Sequence, residues 1–561
     1  MHFDVLFVHP PAVYDFRDKI LFPGPIAHTV EDSTHQFIIF PVGLMSMAEY
    51  LDRNGCKVSI DNLGERMIAS KTFDAESHLK KTEAKIYAVD LHWCTHAQGA
   101  MEVAGICKRL HPGSFVLLGG LTATRFHEEI LLSHPFVDGV IRGEAEKPLL
   151  QLLHEVETQG SLSRVSNLTY RDGARIVANK LARPCLTLDE LDFTRLDLVA
   201  PRKAPVFRRA SIPICRGCLY NCVSCGGSAY SYAKLFGRQK PAFRSPAKIM
   251  EDLDRLGEQG VEAVFLFQDP RMGGQRYRKE LVRALGSDRS DIRTLSMELF
   301  QPASAEFLES LAPLRGRLTL TMSPESGVDD VRQAHGRPYT NNEIRSTAAF
   351  CRKLGLRLTL FFMVGLAGET YDTMEQTARL WEEFYALSHS EEEPTLGPKG
   401  AIRHAVGSMI LLDPGSLAFD YPETYGYKLH FRNLRDYITG MLKPSWDQWI
   451  SYETKNLSRT DIASLTLHAL TETVRVREKF GVYRTQEQAA EQYFLVRLEQ
   501  KVLQEVDKAM KLDDVHEREL RLRSLSKALN PRSTTIADPF KYRQAIQIAL
   551  LESVGLLDAS R

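Results

Sequence analysis

Three cysteines, Cys218, Cys222 and Cys225, lie close enough along the chain for their thiols to turn toward one inorganic centre. Clustered soft thiolates select iron and sulfide, and a set of three leaves one metal corner open for an outside ligand. A structural zinc knuckle would bring a fourth Cys or His at short spacing, but the next cysteine downstream is Cys351. The spacing therefore predicts an iron–sulfur cluster in preference to zinc or to unconnected core thiols. Cys215 falls just outside the spacing and is given no role in the site, and Cys185, in a connector, is read as a bystander. An apolar run, Ser211 to Ile214, precedes the cysteines and Gly226-Gly227 follows them, the pattern of a strand that ends in a metal-binding loop.

The elements before this loop repeat a β/α alternation. Phe3 to Val8 reads as a buried parallel strand stopped by His9-Pro10-Pro11. From Val42 the residues Leu44, Met47, Ala48 and Leu51 recur at helical spacing until Asn54-Gly55, and a strand follows from Lys57 to Asp61. A helix from Phe73 to Glu83, a strand from Lys85 to Val89, a helix from Ala97 to Leu110, and strands from Phe115 to Leu118 and Val137 to Ile141 continue the pattern. This predicts an α/β, doubly wound parallel sheet over residues 1–165. Such sheets bind ligands beyond the carboxyl ends of their strands. Here those ends carry His9-Pro10-Pro11, Asp90-Leu91-His92-Trp93, Gly119-Gly120-Leu121-Thr122 and Arg142-Gly143-Glu144. Paired glycines let backbone approach a bulky ligand closely. Neither a Gly-x-Gly-x-x-Gly after the first strand nor a P-loop occurs in this region, so dinucleotide and nucleoside triphosphate readings lose their main support.

A short hairpin, Asn167 to Tyr170 and Arg175 to Ala178 around Asp172-Gly173, opens a proline-bearing connector over residues 166–205. Alternation then resumes over 206–420. Helices are expected from Pro246 to Leu256, Tyr277 to Leu285 and Glu306 to Leu311. Strands are expected from Ala263 to Phe267, Thr294 to Met297, Arg317 to Met322, Arg357 to Met363 and Ser408 to Leu412. With the run before the cysteines this makes a (β/α)6 partial barrel, whose chemistry gathers at the strand carboxyl ends. Residues 421–561 read as a helical region, with a capping box at Thr485-x-x-Gln488 and an apolar stripe through Leu495, Leu498, Val502, Val506 and Met510. Trp446 and Trp449 read as packing at a domain junction before the wall of a substrate pocket.

The order Pro-Pro loop, Pro41-Val42-Gly43-Leu44 helix, Gly119-Gly120, Arg142-Gly143-Glu144 and then Cys-x3-Cys-x2-Cys resembles the cobalamin-binding radical S-adenosylmethionine (radical SAM) enzymes. The resemblance implies a [4Fe-4S] cluster on Cys218, Cys222 and Cys225, with S-adenosylmethionine on the open iron. It implies that Gln268 of Gln268-Asp269-Pro270 meets the methionyl amino group, Ser323 and Glu325 the ribose or methionyl region, and Gly365 of Val364-Gly365-Leu366-Ala367-Gly368-Glu369 the adenine. The family places an aromatic residue before the last cluster cysteine, where this chain has Ser224; Tyr220 is the expected substitute. The first domain would cradle cobalamin on the loops of His9, Pro10, Pro11, Asp90, His92, Trp93, Gly119, Gly120, Thr122, Arg142, Gly143 and Glu144. The Asp-x-His-x-x-Gly signature of base-off cobalamin domains is missing after the first strand. Asp90-Leu91-His92 imitates its first half after the third, so His92 either packs beneath the ligand, packs in the core, or ligates cobalt.

The function implied is a cobalamin-dependent methyltransferase acting at an unactivated carbon of a small-molecule or natural-product substrate, served by a reductase, flavodoxin or ferredoxin as electron donor. Cobalamin-dependent cyclisation, ring contraction or oxidation is the alternative within the family, and a non-catalytic iron–sulfur or cobalamin sensor the alternative outside it. A methylthiotransferase would carry a second cysteine triad in the first domain, whereas Cys56, Cys94 and Cys107 are scattered. The 561-residue chain has 71 basic and 71 acidic residues, so no global field draws it to nucleic acid or anionic lipid. Asp4 stands where a signal peptide would carry positive charge, no apolar run reaches the roughly 18 residues of a membrane span, and nine cysteines, an odd number, suggest no disulfide framework. The expected location is the cytoplasm.

Overall fold

The computed structural model describes residues 2–24, 42–200, 209–388, 402–409, 411–483 and 485–529. Pro41, the connector from 201 to 205 and the tail from 530 onward lie outside them. The first half is built on one eight-stranded sheet: β1 (His2–His9), β2 (Val58–Asn62), β3 (Glu83–Asp90), β4 (Phe115–Gly119), β5 (Gly139–Ile141), β6 (Leu168–Asp172), β7 (Arg175–Ala178) and β8 (Val199–Ala200). Its order is 7-6-5-4-3-1-2-8, with β1 to β5 parallel. Helices α1 (Val42–Asp52), α2 (Ala97–Leu110) and α3 (Glu146–Thr158) cover both faces. Val5 and Phe7 of β1 share a core with α1 and α3, while Leu6 and Val8 share the opposite core with α2, because neighbouring residues on a strand point to opposite faces. The hairpin expected at the start of the connector belongs to this sheet: β6 runs antiparallel to β5, pairing Ile141 with Leu168. Strand order turns back between β1 and β3, which makes their carboxyl ends the switch point where such sheets bind ligands.

The second half begins at β9 (Arg209–Pro213) and a small antiparallel pair, β10 (Cys215–Arg216) and β11 (Ala242–Phe243). Strands β12 (Ala263–Phe267), β13 (Thr294–Leu299), β14 (Leu318–Glu325), β15 (Arg357–Val364) and β16 (Ile402–Ser408) join β9 in a six-stranded parallel sheet, in the order 16-15-14-13-12-9. Helices α4 (Pro246–Glu258), α5 (Gly274–Gly286), α6 (Asn341–Leu354) and α7 (Tyr371–Ser388) pack outside, so Leu295, Met297 and Leu299 are buried beneath helices while Ser296 and Glu298 take the other face of β13. The sixth strand is Ile402–Ser408, not the apolar run Ser408 to Leu412 expected from the sequence. In the true strand Ile402, His404 and Val406 are buried in alternation, and a polar residue at the middle position hides that period.

After the barrel the chain forms a two-stranded antiparallel pair, β17 (Tyr427–Leu429) and β18 (Tyr452–Thr454), with a short helix at Leu434–Gly440 between them. Helix α8 (Arg459–Lys479) packs on α7 and β16, and α9 (Gln486–Met510) and α10 (Val515–Leu529) pack on each other. Leu498, Val502 and Val506 of the expected stripe form a separate core with Phe22 and Leu522. Trp446 and Trp449 are fully buried at the junction and stand away from the cavity described below.

Candidate active site

A cavity of about 710 Å³ separates the carboxyl ends of the first sheet from those of the barrel. Asp90, His92, Trp93, Gly119, Gly120, Gly143 and Glu144 line it from the sheet; Cys225, Gln268 and Ser323 line it from the barrel. Residues far apart in sequence thus face one another across one largely apolar space.

The cysteine loop is held from several sides. Val223 N–H donates to His335 O at 3.1 Å, Ala418 N–H donates to Val223 O at 2.9 Å, and Gly226 N–H donates to Asp413 Oδ2 at 2.8 Å. Two backbone amides point at the thiols: Tyr220 N–H at Cys218 Sγ (3.4 Å) and Gly227 N–H at Cys225 Sγ (3.3 Å). Burial pushes the Cys218 thiol up to about 11 and raises Cys222 and Cys225 as well. To bind a metal such thiols would have to give up their protons. Among the described residues, the groups whose ligand atoms all converge within 4.8 Å do not include the three cysteines. A single tetrahedral zinc would draw its sulfurs to about 3.8 Å, given Zn–S bonds near 2.3 Å, closer than at least one pair of these three stands. Cys215 is buried at the cavity wall with its thiol directed at Gly217 O, 3.7 Å away.

The barrel strand ends carry strain. Gln268 (φ 82°) and Glu325 (φ 67°) adopt left-handed backbone that side chains normally avoid. Gln268 Oε1, Glu325 Oε2 and Arg337 Nε are buried without hydrogen-bond partners. Glu325 and Arg337 form an ion pair at 2.5 Å. These unmet groups, beside an open metal corner, fit the charged methionyl end of S-adenosylmethionine. Ser323 lies in the cavity wall, and Tyr220 meets the cavity residue Phe300 edge-on with ring centroids 6.0 Å apart. Gly365 and Glu369 do not reach the cavity. Glu369 Oε2 accepts the Gly365 and Leu366 N–H groups at 2.7 and 3.3 Å, and burial pushes its carboxyl up to about 8. Gly365 backs onto Tyr452, whose oxygen would lie 2.5 Å from an added Cβ.

On the sheet side His92 is fixed by its backbone. Asp90 Oδ1 accepts its N–H at 3.1 Å, and Thr122 donates to its carbonyl from both backbone (3.1 Å) and hydroxyl (2.8 Å). Gly120 (φ 111°) passes so close that an added Cβ would stand 2.6 Å from His92 Cα. Burial lowers the His92 pKa, leaving a neutral imidazole at the cavity wall beside Trp93. His9, Pro10, Pro11 and Thr122 are buried behind this wall; His9 Nδ1 lies 2.8 Å from Asp90 Oδ2. Arg142 donates to the carbonyl of Asn179 and so braces the hairpin instead of the cavity. The glycine pair, the neutral imidazole and the apolar lining fit a corrin laid on these loops.

Four charged cavity residues were not foreseen from the sequence: Arg216, Glu146, Glu298 and Arg337. Arg216 joins the halves, donating to Glu146 at 2.7 Å and lying 3.6 Å from Glu144, which also binds Arg238. The available signals were Arg216 next to the cysteine loop and Glu146 next to Arg142-Gly143-Glu144.

A family model described as the Radical SAM superfamily matches residues 212–380, and one described as the B12 binding domain matches residues 33–153. The chain belongs to the cobalamin-binding radical SAM enzymes. An uncharacterized methyltransferase of Pyrococcus horikoshii, PH0819, is 24% identical over 350 residues, 60% of this chain and 72% of that protein. The anaerobic magnesium-protoporphyrin IX monomethyl ester cyclase of Rubrivivax gelatinosus is 23% identical over 49% of this chain and 50% of its own length, so the chain matches about half of that relative. Among solved structures, the radical S-adenosylmethionine methyltransferase TsrM of Kitasatospora setae, with cobalamin and a [4Fe-4S] cluster, superposes with a TM-score of 0.56 at 15% identity, over 85% of this chain and 89% of that one. The cobalamin-dependent S-adenosylmethionine radical enzyme OxsB superposes with a TM-score of 0.55 at 14% identity, over 99% and 82%. The likeness to both structures is one of fold: a cobalamin-type sheet, a radical SAM barrel and a helical C-terminal region. No described helix is long and apolar enough to cross a membrane.

Proposed function

We propose that this chain is a cobalamin-dependent radical SAM methyltransferase acting on a carbon of a small, largely apolar substrate. The observation that carries this reading is the shared cavity: the loop of Cys225 and the strained strand ends of the barrel open onto the same space as His92 and the Gly119-Gly120 turn. When bound, the cluster, S-adenosylmethionine and cobalamin supply the electron, the radical precursor and the methyl carrier. The protein's share is placement. Cys218, Cys222 and Cys225 would hold the cluster. Gln268, Ser323, Glu325 and Arg337 would surround the methionyl and ribose end. The backbone of 90–93 and 119–120 would support the corrin. The apolar walls exclude water, which protects reactive species and strengthens every charged contact inside.

Methyltransferases among the relatives, PH0819 and the carbapenam methyltransferase of Streptantibioticus cattleyicolor, support methyl transfer; that second relative is matched over 28% of its length. An external reductant, a flavodoxin or ferredoxin, would supply the electron. Reconstituted, cobalamin-loaded protein incubated with reductant, methyl-deuterated S-adenosylmethionine and a panel of small apolar acceptors should release 5′-deoxyadenosine and S-adenosylhomocysteine and place label in the acceptor whose hydrogen is removed. Protein that takes up neither cluster nor cobalamin refutes the reading, and turnover without label in the product replaces methyl transfer by a rearrangement or oxidation.

A further inference from the structure

The turn after β15 satisfies two of its amides internally: Gly365 and Leu366 N–H donate to Glu369 Oε2. The third reaches outside the turn. Ala367 N–H donates to the hydroxyl of Tyr427, the first residue of β17, at 3.1 Å. The same hydroxyl lies 2.7 Å from Nε2 of His335, which follows the short helix Asp329–Ala334 after β14. The donor and acceptor roles here are fixed. His335 Nδ1 lies 2.7 Å from the carbonyl oxygen of Val331, which can only accept, so Nδ1 carries the proton, and burial lowers the pKa of the imidazole and keeps it neutral. Nε2 is then the acceptor and the Tyr427 hydroxyl its donor. Tyr427 and His335 are 3% and 2% exposed, so water does not compete for either.

The backbone of His335 in turn supports the cysteine loop. Its carbonyl accepts the Val223 N–H, between Cys222 and Cys225, at 3.1 Å, and Gly336 (φ 80°) runs so close that an added Cβ would collide with the Asn221 carbonyl oxygen. One phenol hydroxyl, carried on a strand pair that follows the barrel, thus joins the turn after β15 to the segment that braces the cysteines. We infer that Tyr427 is a positioning residue for the reductive cleavage of S-adenosylmethionine: through His335 it fixes the cysteine loop, and the cluster proposed on it, against the strand ends of the barrel. In that step one electron from the external reductant breaks the sulfur–C5′ bond and releases methionine and the 5′-deoxyadenosyl radical. The inference rests on the function proposed above and adds to it a residue that stands off the cavity wall. A misplacement of about 1 Å at reacting atoms can cost about a hundredfold in rate, so loss of the link should show in turnover before it shows in affinity.

The test measures 5′-deoxyadenosine formed per cluster by the full-length, cobalamin-loaded and cluster-reconstituted protein under excess reductant, over a range of S-adenosylmethionine concentrations. Wild type is compared with Tyr427→Phe and with Tyr87→Phe. The latter controls for loss of a buried hydroxyl, since Tyr87 is buried in the first sheet and donates to Thr82 O at 2.6 Å. Tyr427→Phe should keep KM within about threefold and lose about tenfold or more in kcat. The change that S-adenosylmethionine makes in the electron paramagnetic resonance spectrum of the reduced cluster should differ from wild type as well. Tyr87→Phe should match wild type in all three. The double variant Tyr427→Phe/His335→Leu removes both polar partners, so its thermal midpoint should rise above that of Tyr427→Phe while kcat stays low; it carries the test where the single variant does not hold its cluster. A wild-type kcat in either variant overturns the inference. So does a kcat that recovers together with the midpoint, because a merely structural role would move the two together. A wild-type protein that forms no 5′-deoxyadenosine removes the functional reading itself, an outcome distinct from the others.

Discussion

Arg216 and Glu146 meet across the boundary between sheet and barrel: Arg216 Nη2 donates to Glu146 Oε1 at 2.7 Å, and Ser46 Oγ donates to the same oxygen at 3.0 Å. Arg216 stands two residues before Cys218, and Glu146 opens the helix that follows β5. Burial by itself would raise the Glu146 carboxyl, but the Arg216 charge and these hydrogen bonds hold it below its ordinary value. The pair therefore ties the sheet side of the cavity to the barrel side with ionised partners.

Removing one member of a buried pair leaves an uncompensated charge, which costs about 3–5 kcal/mol. Glu146→Ala should lower the thermal midpoint clearly. Replacing both residues by well-packed apolar ones should recover part of the loss; a single-mutant midpoint equal to wild type would mean that the pair carries no load between the halves.

Gly120 is the position where the sheet side tolerates least change. A Cβ there would both strain the left-handed backbone and collide with His92 Cα at 2.6 Å. Gly120→Ala should cost roughly 1–3 kcal/mol and shift the loop that supports the corrin, read as weakened cobalamin uptake in an absorbance titration, while iron content stays unchanged.

Asp413 clamps the residue after the last cluster cysteine through the Gly226 N–H, 2.8 Å away. Asp413→Ala should leave that amide unpaired, at a cost of roughly 1–3 kcal/mol, and lower iron and sulfide content after reconstitution. If Cys222 is a cluster ligand as proposed, Cys222→Ala should lower them further, because it would remove a ligand and not a support. Equal iron content in Asp413→Ala and wild type would count against the clamp.

His404 is buried on β16, stacked on Trp381 with centroids 4.3 Å apart, its Nε2 near Thr473 Oγ1 at 3.1 Å and its Nδ1 unbonded. Burial lowers its pKa well below the ordinary histidine value of about 6.5, with the Arg477 charge adding to the effect. The unfolded chain then binds the proton more readily than the folded one. The stabilisation is full above about pH 6.5 and is lost as pH falls below it, by up to about 1.4 kcal/mol per pH unit. Urea midpoints measured between pH 7.5 and 5 should fall less steeply in His404→Gln than in wild type.

What the sequence determined by itself was local. Thiol spacing at Cys218, Cys222 and Cys225, apolar runs such as Phe3 to Val8 and Ala263 to Phe267, and glycine pairs at strand ends were all legible, because local hydrophobicity, turn chemistry and ligand spacing are short-range properties. The β16 strand was obscured where His404 occupies a core position, and the hairpin at 168–178 looked like a connector because nothing in its residues says which edge it joins. The tertiary structure alone decided which charges meet. Arg216 finds Glu146 seventy residues away, Asp269 is spent on Arg271 and Phe300, Glu369 clasps its own turn, and Glu298 is left to face the cavity. Partnership among buried charges depends on where the folded backbone brings them and on how little water remains there to screen an unmatched one. Neither quantity is written in spacing along the chain.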